Sequence, residues 1–324
     1  MIIASRKKEG QLDGELLLVR DNYHTATPIS EYPTVLYALE NWSSSDYLLQ
    51  KEWERLCAGK CSQEMDLEVS TLIAPLPRSY CFLDGSAFLE HIKLVRRARG
   101  AEMPEDYTKT PLMYQGISDH FLAPDEEIPW FGAELGLDFE AEVAVICDRV
   151  PMSVNSKESL KHIKLVGLLN DISLRELIPR EVGTGFGFIQ SKPASSLSPF
   201  LVTPEFLGGD FIAGRLNLDI SISLNDMPFG APSASEMHFS FADLIAHAAR
   251  TRTLPAGTVI GSGTVSNSNP DKGCGCIAEK RTREILTLGK AQQRYLEPGD
   301  KVRIEAKRDG LSPFGAIEQR VPKE

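Results

Sequence analysis

The stretch Asp138-Phe139-Glu140-Ala141-Glu142-Val143-Ala144-Val145-Ile146 alternates acidic and apolar residues. A strand points successive side chains to opposite faces. Asp138, Glu140 and Glu142 therefore share one face, and Phe139, Ala141, Val143 and Val145 the other. Neighbouring carboxylates on such a face stand roughly 7 Å apart and repel unless something positive lies between them. A divalent cation taking one oxygen from each at about 2.0–2.6 Å fits that gap. An edge strand whose acids simply face water fits it as well. Downstream, Leu168-Leu169-Asn170-Asp171 ends a second apolar run on a carboxylate, which tips the balance toward a hard-cation site.

The remainder of the chain sets the context for that strand. Its 324 residues can bury a large core. The two prolines of Ala74-Pro75-Leu76-Pro77-Arg78 mark a linker between a small N-terminal α+β domain, residues 1–75, and a larger domain, residues 76–324. With 45 acidic against 35 basic residues, a formal charge of -10 and no dense Lys/Arg cluster, neither nucleic acid nor an anionic membrane is expected as partner. No apolar run approaches the roughly 20 residues of a membrane span. No apolar signal segment opens the chain, so a cytoplasmic protein is expected. Its six cysteines read as free thiols in a reducing compartment.

In the leading part, Gly14–Val19 reads as a strand with Tyr23–Ile29 returning beside it, followed by helices over Thr34–Trp42 and Tyr47–Leu56. Asp84 to Gly100 reads as one helix, with Phe88, Ile92 and Val95 on its buried face. His91, seven residues after Asp84, then lies on the same side, roughly 10 Å along the axis. Either a packed core histidine or a base beside the carboxylates fits that position. Gly183-Thr184-Gly185-Phe186-Gly187-Phe188 lacks the strand-before, helix-after setting of a dinucleotide site and reads as a flexible loop. Ser240 caps the clearest helix, Phe241 to Arg250. Gly257 to Ser266 is a strand entering a small-residue loop that lets backbone approach a ligand closely.

Five stretches in order carry a family resemblance: Asp138-Phe139-Glu140-Ala141-Glu142, Asn170-Asp171-Ile172-Ser173-Leu174-Arg175, Gln190-Ser191-Lys192-Pro193, Gly261-Ser262-Gly263-Thr264-Val265-Ser266 and Ile277-Ala278-Glu279. Together they resemble the fumarylacetoacetate hydrolase family over residues 80 to 320. The resemblance implies an α+β fold that is mostly β, a mixed-sheet β-sandwich roll, in a homodimer. It implies a divalent cation, Mg²⁺, Ca²⁺ or Mn²⁺, held by Glu140, Glu142, Asp171 and Asp84. The spacing of Asp84 and His91 reproduces that of the metal aspartate and catalytic histidine in fumarylacetoacetases. By the same resemblance Glu279 orients His91, Lys192 stands near the substrate oxygens, and Tyr114 and Thr264 are substrate-side residues. A carboxylate-binding arginine is expected in the cluster Arg96, Arg97 and Arg99, with Arg99 the candidate.

The implied substrate is a small dicarbonyl carboxylate, and the implied reaction is hydrolysis of a carbon–carbon bond in a 1,3-diketo acid or acylpyruvate. A lyase on the same scaffold, a decarboxylase, hydratase or tautomerase of a 2-oxo acid, is the alternative. A ligand-binding protein without turnover is a third. The sequence departs from the fumarylacetoacetase pattern at Ile178 and Val182, where a glutamine and a tyrosine are expected, and at Ser86, where a substrate-side tyrosine is expected.

Overall fold

The computed structural model describes residues 1–98, 102–103, 105–117 and 119–323. The strand Ala141–Cys147 lies inside a 12-stranded sheet, flanked by Ile163–Asn170 and Thr258–Gly261. It is buried along its whole length, so the solvated edge strand does not apply. Beyond Thr258–Gly261 the sheet continues through Phe82–Gly85 to Met113–Gln115. Beyond Ile163–Asn170 it runs through Leu201–Val202, Ile2–Lys8, Gln11–Val19 and Thr25–Pro28 to Met65–Asp66. Strands from the first 75 residues therefore extend the same sheet. The sheet is mixed: Thr258–Gly261 runs parallel to Phe82–Gly85 and antiparallel to Ala141–Cys147.

Parity explains both faces. Phe139, Ala141, Val143, Val145 and Cys147 enter one apolar core, which also holds Ile220, Ile222, Val302, Ile304 and Ile317 from a second, four-stranded sheet. Ala144 and Ile146 enter the other core with Leu165, Leu169 and Val259, covered by Val35, Ala38, Leu39, Leu49 and Leu56 of the helices Val35–Glu40 and Trp42–Cys57. The second face is apolar at one end and acidic at the other. Stepping by two along each strand leads from Ile146 through Ala144 to Glu142, from Phe82 to Asp84, and from Leu169 to Asp171 just past the strand end. Each fully buried Leu, Ile or Phe is worth about 1.5–3 kcal/mol. A one-residue slip would exchange those side chains for carboxylates in the core, so the register is strongly specified.

Two expected elements differ. Asp84 does not begin a helix: it lies in the strand Phe82–Gly85, and the helix runs Leu89–Ala98. The run Ser86-Ala87-Phe88 turns between them, tied down where the Ala87 N–H donates to Ser262 O at 3.0 Å. The acidic stretch is also not one unbroken strand. Leu137–Asp138 pairs separately with Ser173–Leu174, which turns Asp138 away from Glu142. The helix with its Ser240 cap is present as Phe241–Ala248, closed by a reciprocal capping box with Asp243. The helix Ile277–Leu288, which the apolar spacing did not reveal, packs against Leu89–Ala98.

Candidate active site

Register brings three carboxylates together. Gly261 is paired with Asp84 on one side and Ala144 on the other. A Cβ at Gly261 would stand 2.3 Å from Asp84 Oδ1 and 2.8 Å from Glu142 Oε2, so only glycine lets these side chains cross the strand. The Gly263 N–H donates to both oxygens, at 3.1 Å to Asp84 and 3.0 Å to Glu142. One oxygen each of Asp84, Glu142 and Asp171 falls within a cluster no wider than 4.8 Å. All three residues are buried.

Glu140, expected with them, stands at the border of this cluster. Its Oε1 lies 2.6 Å from Arg175 Nη2, and its Oε2 accepts from Lys192 Nζ at 2.8 Å. Lys192 Nζ also donates to Asp171 Oδ2 at 2.6 Å and to Ser173 Oγ at 2.8 Å. Ser195 Oγ donates to Asp171 Oδ1 at 2.7 Å, and the Tyr114 hydroxyl donates to Asp171 Oδ2.

The electrostatics follow from crowding acids out of water. Burial, then the Asp171 charge, pushes Asp84 up to about 8. Burial and the Asp84 and Asp171 charges hold Glu142 well above the ordinary glutamate value. Burial also raises Asp171, against the pull of Lys192. For Glu140 burial is outweighed by Arg175 and Lys192, which hold its carboxyl low. Burial would lower Lys192, but Asp171 and Glu140 outweigh it and keep the ammonium charged.

A hard cation fits this arrangement. Asp84, Asp138, Glu140, Glu142 and Asp171 face two cationic side chains, Arg175 and Lys192. Glu142 Oε1 is buried without a hydrogen-bond partner among the described residues. Oxygen donors in such number are what Mg²⁺, Ca²⁺ or Mn²⁺ take.

The histidine side of the site is built from two packed helices. His91 Nδ1 lies 3.8 Å from Glu279 Oε2, an ion-pair separation too long for a hydrogen bond. Glu279 Oε1 is held by Ser266 Oγ and Arg283 Nη2, both at 2.9 Å. Burial pushes the Glu279 carboxyl up, but His91 and Arg283 outweigh it and hold it below the usual value. Asp138 fixes where this helix starts. It accepts from the N–H groups of Ile277 at 2.8 Å and Ala278 at 2.9 Å, donors that a helix leaves unpaired. Its Oδ2 also accepts from Arg175 Nε at 2.7 Å.

Both sides open onto one cavity of about 430 Å³, within the range of small-molecule sites. Asp84, His91, Tyr114, Glu140, Lys192 and Thr264 line it. Thr264 Oγ1 is buried without a partner among the described residues. Ser86, Ile178 and Val182 line it too, as does Phe188, whose ring meets Tyr114 edge-on at 4.8 Å. Ile178 and Val182 belong to a short helix, Ile178–Thr184, so the glycine-rich segment read as a loop begins inside that helix. Arg99 lies outside the described residues. Arg96 lines the cavity and donates to Glu102 O at 2.9 Å.

The residue pattern assigns no part to Arg175, Ser195 or Arg283, and it offers Asp138 to the cation beside Glu140 and Glu142, whereas Asp138 instead holds Arg175 and the start of the helix Ile277–Leu288. Arg175 closes one of the five quoted stretches, so its position was in view without its role. The partners of the other three are set only by strands and helices meeting in space.

The chain matches known proteins along nearly its whole length. Residues 1–78 match the model of fumarylacetoacetase N-terminal domain 2, and residues 80–322 the fumarylacetoacetate hydrolase C-terminal model. Oxaloacetate tautomerase YisK of Bacillus subtilis is 25% identical over 248 residues, covering 76% of this chain and 71% of that protein. Fumarylacetoacetase of Arabidopsis thaliana is 23% identical over 267 residues, covering 68% of this chain, which spans only 63% of that protein. The structure of maleylpyruvate hydrolase from Sphingobium sp. SYK-6, in complex with manganese(II) ion and pyruvate, superposes with a TM-score of 0.66 at 14% identity, covering 100% of this chain and 99% of that one. At that identity the superposition speaks for the fold alone. With its larger part matched from residue 80 to residue 322, the chain belongs to the fumarylacetoacetate hydrolase family.

Proposed function

We propose that this protein is a divalent-cation-dependent hydrolase cleaving a carbon–carbon bond in a 1,3-diketo acid or acylpyruvate. The observation that carries the reading is His91 Nδ1 at 3.8 Å from Glu279 Oε2, on the same cavity as the carboxylate cluster. A divalent cation held by Asp84, Glu142 and Asp171, with Glu140 as the fourth carboxylate at their border, would supply Lewis acidity toward the two oxygens of the dicarbonyl. With Nδ1 turned to Glu279, His91 keeps Nε2 to take a proton from the attacking water, and Glu279 stabilises the charged ring. Lys192, whose charged ammonium lines the cavity, offsets negative charge developing on oxygen. Tyr114 and Thr264 stand as substrate-side residues lining the cavity. The apolar wall of Ile178, Val182 and Phe188 favours an acyl end less polar than one met by glutamine and tyrosine.

A second reading, tautomerisation or lysis of a 2-oxo acid, has its own support. The Bacillus tautomerase matches 76% of the chain. One experiment separates them. The purified protein with Mg²⁺ or Mn²⁺ is given fumarylacetoacetate, fumarylpyruvate or oxaloacetate, following enol absorbance and products. Two carboxylic products from a diketo acid support hydrolysis. Release of CO₂, or enol–keto interconversion without cleavage, overturns it. A homodimer belongs to the same proposal, and light scattering checks it.

A further inference from the structure

The geometry points to a second metal site of softer character, in which His91, Cys276 and Glu279 capture Zn²⁺ or a metal of the same class. One donor atom of each residue falls within a cluster no wider than 4.8 Å. Tetrahedral zinc with bonds of about 2.0–2.3 Å sets its donors about 3.3–3.8 Å apart, the separation already present between His91 Nδ1 and Glu279 Oε2 at 3.8 Å. His91 Nδ1 and Glu279 Oε2, 3.8 Å apart, are both buried without a hydrogen-bond partner among the described residues. Glu279 is fully buried, with its other oxygen already held by Ser266 and Arg283, so Oε2 is aimed rather than free to swing.

The donor set distinguishes this site from the carboxylate cluster. Thiolate and imidazole select zinc and cobalt, whereas three carboxylates suit magnesium, calcium and manganese. Cys276 contributes Sγ at the start of the helix Ile277–Leu288, where it accepts from the Glu279 N–H at 3.4 Å. On binding, the Cys276 S–H bond breaks, its proton leaves to solvent, and the sulfur pair forms the bond to the metal. His91 lines the cavity and gives the metal its route in. A captured metal occupies the His91 and Glu279 atoms that the proposed hydrolysis uses, so zinc acts as an inhibitor. That consequence rests on the proposed function; the site itself does not.

The test is titration of Co²⁺ into the full chain in excess Mg²⁺, which fills the carboxylate cluster. The expected result is near-ultraviolet thiolate-to-cobalt absorption at one metal per chain, removed by Zn²⁺. The band is retained in the Cys57→Ser/Cys61→Ser double variant. It is lost in Cys276→Ser, whose hydroxyl preserves the helix cap. His91→Gln supplies an independent check and weakens the band. Absence of the band in the unmodified chain, its survival in Cys276→Ser, or its indifference to His91→Gln overturns the site. Because absorption reads binding alone, failure of the hydrolase assay leaves this result standing, and the reverse holds as well.

Discussion

The carboxylate end and the histidine end of the cavity are built on different principles. Asp84, Glu142 and Asp171 are placed by strand register, with the Gly263 N–H and the missing Cβ of Gly261 holding two of them together. Hydrogen bonds on both neighbouring strands over-determine their backbone. His91 and Glu279 come instead from two helices packed side by side, and their nearest atoms stay 3.8 Å apart. A strand shifts register in whole residues, whereas helices slide and side chains rotate by fractions of an ångström. The cluster is thus suited to holding a cation in fixed geometry. The histidine end leaves its two side chains room to approach each other.

The largest expected effect falls on the histidine end alone. His91→Ala should lower turnover about 100- to 10,000-fold, the usual contribution of a positioned base, while calorimetry still detects Mg²⁺ or Mn²⁺ binding. Loss of cation binding in this variant would break the division between the two ends. Next comes cation withdrawal. At a free concentration 100 times its Kd, a cation should stabilise the folded chain by about 2.7 kcal/mol, read as a drop in Tm on adding chelator. In Asp171→Asn that response should shrink, and in His91→Ala it should persist.

Gly261→Ala forces a methyl group against the oxygens of Asp84 and Glu142. The expected cost is about 1–3 kcal/mol of overpacking, measured by urea unfolding, with cation affinity lost at the same time. A variant that binds cation normally would show that the carboxylate end is less rigid than its register implies. Ser240→Ala probes the scaffold behind that end, since the helix Phe241–Ala248 carries Leu244, which a Cβ at Gly85 would meet at 2.9 Å. Losing its capping box should cost about 1 kcal/mol with cation binding unchanged.

The smallest effect is a pH dependence in the same cap. Burial pushes Asp243 up, but hydrogen bonds from Ser240 and Ser156 outweigh it and hold the carboxyl below the usual aspartate value. The unfolded chain then takes up this proton first as pH falls. The contribution is present above the unfolded value and disappears as pH drops through the folded one. Asp243→Asn should flatten the acid limb of a stability-against-pH curve.

How far each feature was legible depended on the range of the interactions behind it. The strand Ala141–Cys147, the strand Ile163–Asn170 and the Ser240-capped helix follow from period and capping, which are local. The misread helix start at Asp84 is instructive. The apolar spacing of Phe88, Ile92 and Val95 extends smoothly backward, and it is pairing of Asp84 with Gly261, 177 residues away, on one side and with Tyr114 on the other that makes Phe82–Gly85 a strand. Asp138 shares its alternation with Glu140 and Glu142 yet serves the N-terminus of Ile277–Leu288 and Arg175. Alternation specifies a face; it does not specify what approaches that face.

Sequence by itself determined that acids end apolar runs in this chain, that glycine and small residues surround one of them, and that a histidine follows Asp84 at seven residues. Those are properties of neighbours along the chain, readable from period and composition. Only the tertiary structure decided which carboxylates share a cluster, that Lys192 bridges Asp171 and Glu140, and that Cys276 lies beside His91 and Glu279. These groups are brought together by burial of the two cores on either side of one sheet. The free energy of that burial belongs to the whole fold and to no single stretch of it.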